Sequence, residues 1–88
     1  MRGVRTGKAI VDGEVVGRNW KLALEVKSGH DDVIRGIGQL VEALSNGYSS
    51  AALVTSVRRV RRLDKSAFGD RMVLLGIDSK ARITQIYP

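Results

Sequence analysis

Apolar and polar residues alternate over the first 27 positions in the pattern of two β-strands. Val15 and Val16 end one apolar run, Gly17-Arg18-Asn19 follows, and the run WKLALEVK comes next. Gly and Asn tolerate the positive φ that tight turns require, so this tripeptide between two such runs predicts a hairpin. We therefore expect an antiparallel pair at about residues 9 to 16 and 20 to 27.

The next segment has the periodicity of a helix. Two apolar stripes recur at helical spacing, namely Ile34, Ile37, Val41 and Leu44, and Val33, Ile37, Leu40 and Leu44. The N-cap candidates are Ser28, Asp31 and Asp32, and Gly47 is a candidate stop. The pattern predicts a helix of about 15 residues, capped by Asp31.

Two glycines lie inside this predicted helix. Gly36 and Gly38 each cost on the order of 1 kcal/mol relative to alanine in a helix interior. We expect the sheet to pack very closely against that turn of the helix.

The remaining segments complete an α/β pattern. SSAALVTSV is apolar at both alternations, which is typical of a central strand covered on both sides. Strand, helix and strand form a βαβ unit, so this strand is expected to run parallel to an earlier one through a right-handed crossover. RRVRRLDKSAFGD is either a short helix or a charged loop, and MVLLGI and ARITQIY flank Asp78-Ser79-Lys80 as a C-terminal hairpin. The predicted fold class is α/β, with a mixed sheet, one main helix and a hairpin at each end.

Size and composition narrow the class of protein. The 88 residues predict a single domain over residues 1–88 with a small core, for which a second copy, as a homodimer, is a reasonable stabilising partner. No apolar run is long enough to span a bilayer and the start lacks the core of a secretion signal, which favours a cytoplasmic protein without membrane contact. The absence of cysteine excludes disulfides, a thiol nucleophile and a cysteine zinc site, and the single histidine, His30, disfavours a histidine-rich metal site.

The charge balance favours a polyanion as partner. Fifteen Lys and Arg against nine Asp and Glu leave a net charge of +6, and the isoelectric point is about 10.3. The densest basic cluster is Arg58, Arg59, Arg61 and Arg62. If this segment is helical, Arg58 and Arg62 share a face and could clamp phosphates of DNA, and a solvated surface helix is the alternative. Binding to RNA is also compatible with the charge.

Three charged residues near the first hairpin suggest chemistry. Glu25 and Lys27 project from the same face of their strand because side chains alternate. If the hairpin pairs through the Gly17 turn, Asp12 can lie close to Glu25, and two adjacent carboxylates repel unless a proton or a cation lies between them. A hard cation, Mg²⁺ or Mn²⁺, suits such an oxygen site with substrate phosphate, and a lysine beside it can orient the attacking water. Glu and Lys two positions apart also occur as a solvated pair on an exposed strand face.

Together these residues resemble the PD-(D/E)XK nuclease superfamily, in its archaeal Holliday-junction resolvase and RecB-type branch. Val11-Asp12 stands where the family has Pro-Asp, and Glu25-Val26-Lys27 corresponds to its (D/E)-x-K, followed by a helix and a further strand. The resemblance covers roughly residues 9 to 57. It implies a restriction endonuclease-like fold in a minimal version that lacks the family's usual helix before the first strand, since only eleven residues precede Asp12. A helix supplied by a partner and a sequence that is a fragment are the alternatives.

The resemblance also implies an activity and its residues. Asp12, Glu25 and the main-chain carbonyl of Val26 would hold Mg²⁺, and Lys27 would assist the attacking water in a DNA endonuclease. Gln39 matches a helix glutamine found in some branches, although Ala43 stands where the RecB-type motif has tyrosine. Arg35 lies one turn from Gln39 and can contact the substrate. A catalytically inactive nuclease-like module that binds DNA or serves in assembly is the alternative.

Overall fold

The computed structural model describes residues 3–6, 9–28, 31–64 and 69–87, with residues 6 and 9 described by their backbone alone. The described residues form seven strands and two helices: β1 Val4–Thr6, β2 Ala9–Val11, β3 Gly13–Val16, β4 Lys21–Val26, α1 Val33–Leu44, β5 Ser50–Ser56, α2 Val57–Arg62, β6 Met72–Ile77 and β7 Ile83–Tyr87. The protein is therefore mixed α/β, as the periodicities predict. None of these helices has the length and apolar character needed to cross a membrane.

Five strands form the main sheet in the order β3-β4-β5-β6-β7. The three central strands are parallel, since β4 pairs with β5 and β5 with β6 in parallel register. The two edge strands are antiparallel to their neighbours. The predicted parallel strand after α1 and the predicted C-terminal hairpin are confirmed. The arginine-rich segment, predicted to be either a short helix or a charged loop, begins as the short helix α2.

The first predicted strand is wrong in one respect, because it is not continuous. Asp12 separates β2, which pairs with β1 in a small two-stranded sheet, from β3, which pairs with β4 in the main sheet. The register places Gly13 opposite Leu24, so the break at Asp12 comes opposite Glu25. The described residues before Asp12 form this β1-β2 hairpin, which contains no helix, and β2 contacts α1.

Helix α1 is shorter than predicted, and a different aspartate caps it. Asp32 is the N-cap, and its Oδ1 accepts a hydrogen bond of 3.0 Å from the backbone N–H of Arg35. The predicted cap Asp31 instead accepts from the backbone N–H of Ser28 at 2.9 Å. The helix has 12 residues and begins only at Val33, because Asp31 is bonded to Ser28 and Asp32 is the cap.

One of the two predicted apolar stripes of α1 faces the core. Val33 and Leu40 are buried, whereas Ile34 is 70% exposed and Val41 is 52% exposed. The stripe that contains Leu40 is therefore confirmed and the one that contains Ile34 is wrong. Because both stripes share Ile37, periodicity alone could not distinguish them, and packing decides.

Both helices cover the same face of the main sheet. Each of two successive right-handed crossovers moves the chain one strand further in the same direction, which places both helices on one side. A Cβ on Gly36 of α1 would lie 2.9 Å from the Cε of Lys27, and one on Gly76 of β6 would lie 2.7 Å from a methyl carbon of Val57 in α2. The covered face consists of side chains at alternate positions of the three central strands: Ala23, Glu25, Ala51, Leu53, Thr55, Met72 and Leu74.

The opposite face of the sheet has no helix over it in the described part of the chain. Most of the intervening positions on this open face carry apolar side chains, and Ser50, Ser56 and Gln85 are its polar members. The apolar members are Val15, Leu22, Leu24, Val26, Ala52, Val54, Val73, Leu75, Ile77 and Ile83. Its periphery is accessible, with Val15 50% exposed and Ile83 63% exposed. Both faces of β5 are nevertheless buried, with Ala52 3% and Val54 8% exposed on the open face, so the predicted central strand covered on both sides is confirmed.

Candidate functional site

Two hydrogen bonds from backbone N–H groups hold the carboxyl groups of Asp12 and Glu25 at the point where the chain passes from β2 to β3. The backbone N–H of Asp12 donates to Oε1 of Glu25 at 2.9 Å. The backbone N–H of Val26 donates to Oδ2 of Asp12 at 2.7 Å. Each acidic side chain therefore accepts from the backbone beside the other, which fixes both carboxyl groups in one small region at the end of β4.

Lys27 pairs with the same glutamate. Its Nζ lies 3.3 Å from Oε2 of Glu25, and the side chain of Lys27 is 18% exposed. The stem of Lys27 packs against Gly36 of α1, where a Cβ would also lie 3.4 Å from Cγ of Glu25. Gly36 thus lets the helix approach the two charged residues, which agrees with the close packing expected from a glycine inside a helix. Gly38 has no such role, because a Cβ there would meet no atom within 4 Å.

The electrostatic surroundings of Glu25 favour its neutral form. The residue is 1% exposed, and this burial raises the pKa of the Glu25 carboxyl above its usual value because the charged form loses hydration. The N–H of Asp12 lowers this pKa, the nearby negative charge of Asp12 raises it, and Lys27 lowers it, with burial prevailing. A cation beside Glu25 would remove the penalty of burying its charge.

The oxygen atoms present fit a small hard cation of the Mg²⁺ class. Within the described residues Oδ1 of Asp12 has no hydrogen-bond partner, while both oxygens of Glu25 keep lone pairs beyond the bonds they accept. In the described ranges no three or more His, Cys, Asp or Glu side chains are grouped so that they could hold a metal ion. Two carboxylates, one main-chain carbonyl and several waters form the kind of incomplete protein ligand set that Mg²⁺ commonly has.

Gln39 connects helix α1 to the strand that precedes Asp12. Its Nε2 donates a 2.9 Å hydrogen bond to the main-chain oxygen of Ile10, two residues before Asp12. Its Oε1 is buried and has no partner among the described residues. Gln39 therefore ties α1 to β2 and leaves one acceptor unused near the acidic pair, while its predicted neighbour Arg35 is exposed.

The arginines of α2 lie at the same edge of the sheet as Lys27. The carboxyl ends of the parallel strands β4 and β5 share that edge, and α2 begins directly after β5. Arg59 donates from its guanidinium to the main-chain oxygen of Asp31, which connects α2 to the start of α1. Arg58, Arg61 and Arg62 are exposed.

Arg58 and Arg62 both lie in helix α2, as the shared face requires, and they line different clefts. Arg62 and Arg59 line a cleft of about 350 Å³ against Asp31 and Asp32. Arg58 lines a different cleft, with Asp78 and Ser79. The arginines of this six-residue helix, which packs on the sheet through Val60, therefore border two clefts.

One polar residue beside the site was not anticipated. Thr55 is 2% exposed, and its Oγ1 has no hydrogen-bond partner in the described structure. Strand alternation alone places Thr55 on the same side of β5 as Leu53, and the register of β5 with β4 adds that this is also the side of Glu25. His30 lies outside the described residues.

Comparison with protein-family models, with curated proteins and with solved structures gives no significant match for this chain.

Proposed function

We propose that this protein is a Mg²⁺-dependent DNA endonuclease of the PD-(D/E)XK type that hydrolyses phosphodiester bonds. The observation that carries the proposal is the pair of backbone hydrogen bonds, from the N–H of Asp12 to Glu25 and from the N–H of Val26 to Asp12, that holds the two carboxyl groups in one region, with Nζ of Lys27 3.3 Å from Oε2 of Glu25. Such hydrolysis requires oxygen ligands for a cation and a cationic donor for the attacking water or the phosphate. The two acidic groups and the amine supply them.

The residues divide the work as follows. Asp12, Glu25 and the main-chain carbonyl of Val26 hold the cation, which when bound polarises the phosphoryl oxygen and makes water a better nucleophile. Lys27 has three donor protons, of which one is directed to Glu25, and the remaining protons orient water and neutralise charge that grows on the phosphate. Gln39 keeps β2, and with it Asp12, in position against α1.

The exposed arginines bind the DNA backbone in this proposal. Arg58, Arg61 and Arg62, with Arg35 on α1, lie on the two helices whose first residues follow β4 and β5, the strands that end at the site. Arg59 is tied to the oxygen of Asp31 and chiefly orients α2. Each phosphate neutralised on duplex DNA steepens the logarithmic dependence of affinity on salt by about 0.9.

Cleavage assays test the proposal. Purified protein with Mg²⁺ or Mn²⁺ is expected to nick or cut DNA, including branched substrates, and EDTA is expected to stop the reaction. Glu25→Ala and Lys27→Ala should each lower the rate by at least about a hundredfold, which is the usual scale for losing an electrostatic catalytic group. Retention of full activity in both variants would refute the site.

Lys21→Ala is the matched control. Lys21 lies on the same strand and on the same side as Lys27, but its Nζ lies 4.4 Å from the ring centroid of Tyr48, at the opposite end of β4. The variant removes the same charge and is expected to cleave within a few-fold of the wild-type rate. An equal loss in Lys21→Ala and Lys27→Ala would mean that only net charge matters.

A nuclease-like module that binds DNA without cleaving it is the second candidate. It is favoured by the completeness of the contacts to Glu25, whose two oxygens are already engaged by Asp12 and Lys27. Isothermal titration calorimetry with Mn²⁺ separates the two functions. An enzyme shows metal binding that Asp12→Asn and Glu25→Gln remove, whereas the module shows salt-sensitive DNA binding and no such metal binding.

A further inference from the structure

A buried hydroxyl group lies next to Lys27 on the neighbouring strand. The β4-β5 register pairs Val26 with Val54, and the backbone N–H of Lys27 donates to the oxygen of Val54 at 2.9 Å, which extends the pairing by one residue. Lys27 is therefore opposite Thr55. Alternation directs both side chains to the covered face, where the Cα atoms of paired residues in adjacent strands lie roughly 5 Å apart.

The hydroxyl of Thr55 is poorly suited to a purely structural role. The residue is 2% exposed, and Oγ1 has no hydrogen-bond partner in the described residues. The next strand offers none, because the residue paired with Thr55 on β6 is Gly76, and Gly76 is covered by Val57. A buried polar atom without a partner costs free energy that valine, which has the same shape, would avoid.

Lys27 is the side chain that can use this hydroxyl. In the present arrangement the Lys27 ammonium donates to Glu25, which is also a proposed ligand of the cation. When the charge of Glu25 is shared with a cation, the ammonium needs another acceptor on the same face. Oγ1 of Thr55 is the neighbouring acceptor on β5, whereas the side chain of Gln39 is bonded through Nε2 to the oxygen of Ile10 in β2.

We propose that Thr55 is a positioning residue of the site, whose buried hydroxyl accepts a hydrogen bond from the Lys27 ammonium and aims it at the scissile phosphate while Glu25 holds the cation. The inference rests on the proposed nuclease function and adds a residue to it. It also explains why a central strand of a small core keeps a polar atom that the fold does not use. In this bond the ammonium of Lys27 donates and the threonine hydroxyl accepts.

The test compares three variants with the wild-type protein. Thr55→Val removes the hydroxyl and keeps the shape, Thr55→Ser restores it, and Thr84→Val on β7 is the matched control at an exposed threonine. We expect Thr55→Val to lower kcat roughly tenfold to a hundredfold with KM changed less than threefold, because the amine is misplaced while DNA binding is intact. Thr55→Ser should recover most of kcat, and Thr84→Val should leave it unchanged.

Thermal unfolding in the absence of metal gives the second measurement. Removing a buried hydroxyl without a partner is expected to leave Tm unchanged or to raise it by about 4 °C or more. A variant that is more stable and slower is the signature of a residue kept for function. A fall in Tm would mean that the hydroxyl has a structural partner, and the inference would be wrong.

The outcomes separate this inference from the proposed function. Wild-type protein that shows no Glu25-dependent cleavage refutes the nuclease proposal, and the role of Thr55 falls with it. Glu25-dependent cleavage that Thr55→Val leaves at the wild-type rate refutes the role of Thr55 alone. A loss of kcat in Thr55→Val that serine does not restore also contradicts it, because packing and not the hydroxyl would then be responsible.

Discussion

The covered face of the main sheet carries polar side chains among its core residues, whereas the open face is mostly apolar. This is the reverse of the usual pattern, in which polar side chains lie on the accessible face. The covered face includes Glu25, Thr55 and the stem of Lys27, whereas the open face is apolar along β4 through Leu22, Leu24 and Val26. Glu25 and Lys27 are tolerated under α1 because they pair with each other and Glu25 accepts from the backbone at the edge of the sheet, whereas the hydroxyl of Thr55 has no partner in the described residues. The comparison teaches that a small domain can use its best protected surface for a polar site and leave apolar side chains accessible.

Truncating one leucine on each face is the strongest test of this comparison. Leu53 on the covered face is fully buried, and we expect Leu53→Ala to lower the free energy of unfolding by about 2 to 5 kcal/mol. Leu24 on the open face is only partly buried, so Leu24→Ala should cost about 1 kcal/mol. Urea unfolding of both variants measures the difference, and equal losses would show that the open face is as well packed as the covered one.

Two glycines of α1 provide a matched pair on the covered side. The Cβ added in Gly38→Ala would meet no atom within 4 Å. This variant should therefore raise the free energy of unfolding by about 0.5 to 1 kcal/mol, because alanine has the higher helix propensity. In Gly36→Ala the new Cβ would lie 2.9 Å from Cε of Lys27, so that the gain is offset and the amine is displaced.

The cleavage rate distinguishes the two glycine variants further. We expect Gly36→Ala to be slower and Gly38→Ala to keep the wild-type rate. If the two variants behave alike in both unfolding and cleavage, close contact between α1 and Lys27 is not important for the site.

The pH dependence of stability reports on the buried carboxyl of the covered face. Because burial raises the pKa of Glu25 above its ordinary value of 4.5, the native protein binds this proton more tightly than the unfolded chain does. Stability is therefore expected to fall as the pH rises from 4.5 to the raised native pKa, and this group adds no further change at higher pH. The sign is opposite to that of a carboxylate stabilised by a salt bridge.

Glu25→Gln isolates this contribution. The stability of this variant should not fall as the pH rises, so its free energy of unfolding relative to wild type should be higher at pH 7 than at pH 4. Urea unfolding at the two pH values measures this difference. Parallel pH profiles for the two proteins would contradict the assignment. Saturating Mg²⁺ at pH 7 is expected to stabilise the wild type and not the variant.

The smallest expected effect concerns the open face, where the predicted homodimer can be tested. Five strands spaced about 4.8 Å apart and about five residues long give a face of roughly 400 Å², or roughly 800 Å² for two copies, which is below the size of a standard stable interface. We therefore expect weak association that depends on protein concentration, measured by sedimentation velocity.

Two charge substitutions localise that association. Val73→Glu on the open face should abolish it, whereas Val16→Glu, which is exposed at the β3-β4 hairpin and projects from the other side, should not. A monomer at every concentration, or equal effects of the two substitutions, would contradict association through the open face.

Local patterns were sufficient for the type and order of most elements. Alternation, helical spacing and turn residues predicted β4, α1, β5 and the β6-β7 hairpin, and the pairing of β3 with β4 brought Asp12 to Glu25 as expected. The patterns could not predict the break at Asp12, because the apolar residues on both sides of it suit a single strand equally well. Periodicity also could not choose between the two stripes of α1, which differ only in what packs against them.

By itself, the sequence determined the acidic pair, the lysine two positions later and the βαβ order, since these depend on the alternation of side chains and on the handedness of crossovers. Only the tertiary structure decided which side of the sheet the helices cover, because that depends on the direction in which successive strands are added. It also decided that Thr55 lies beside Lys27 and that the arginines of α2 border two clefts. Both follow from strand register and helix packing, which join residues about 30 positions apart that no local pattern connects.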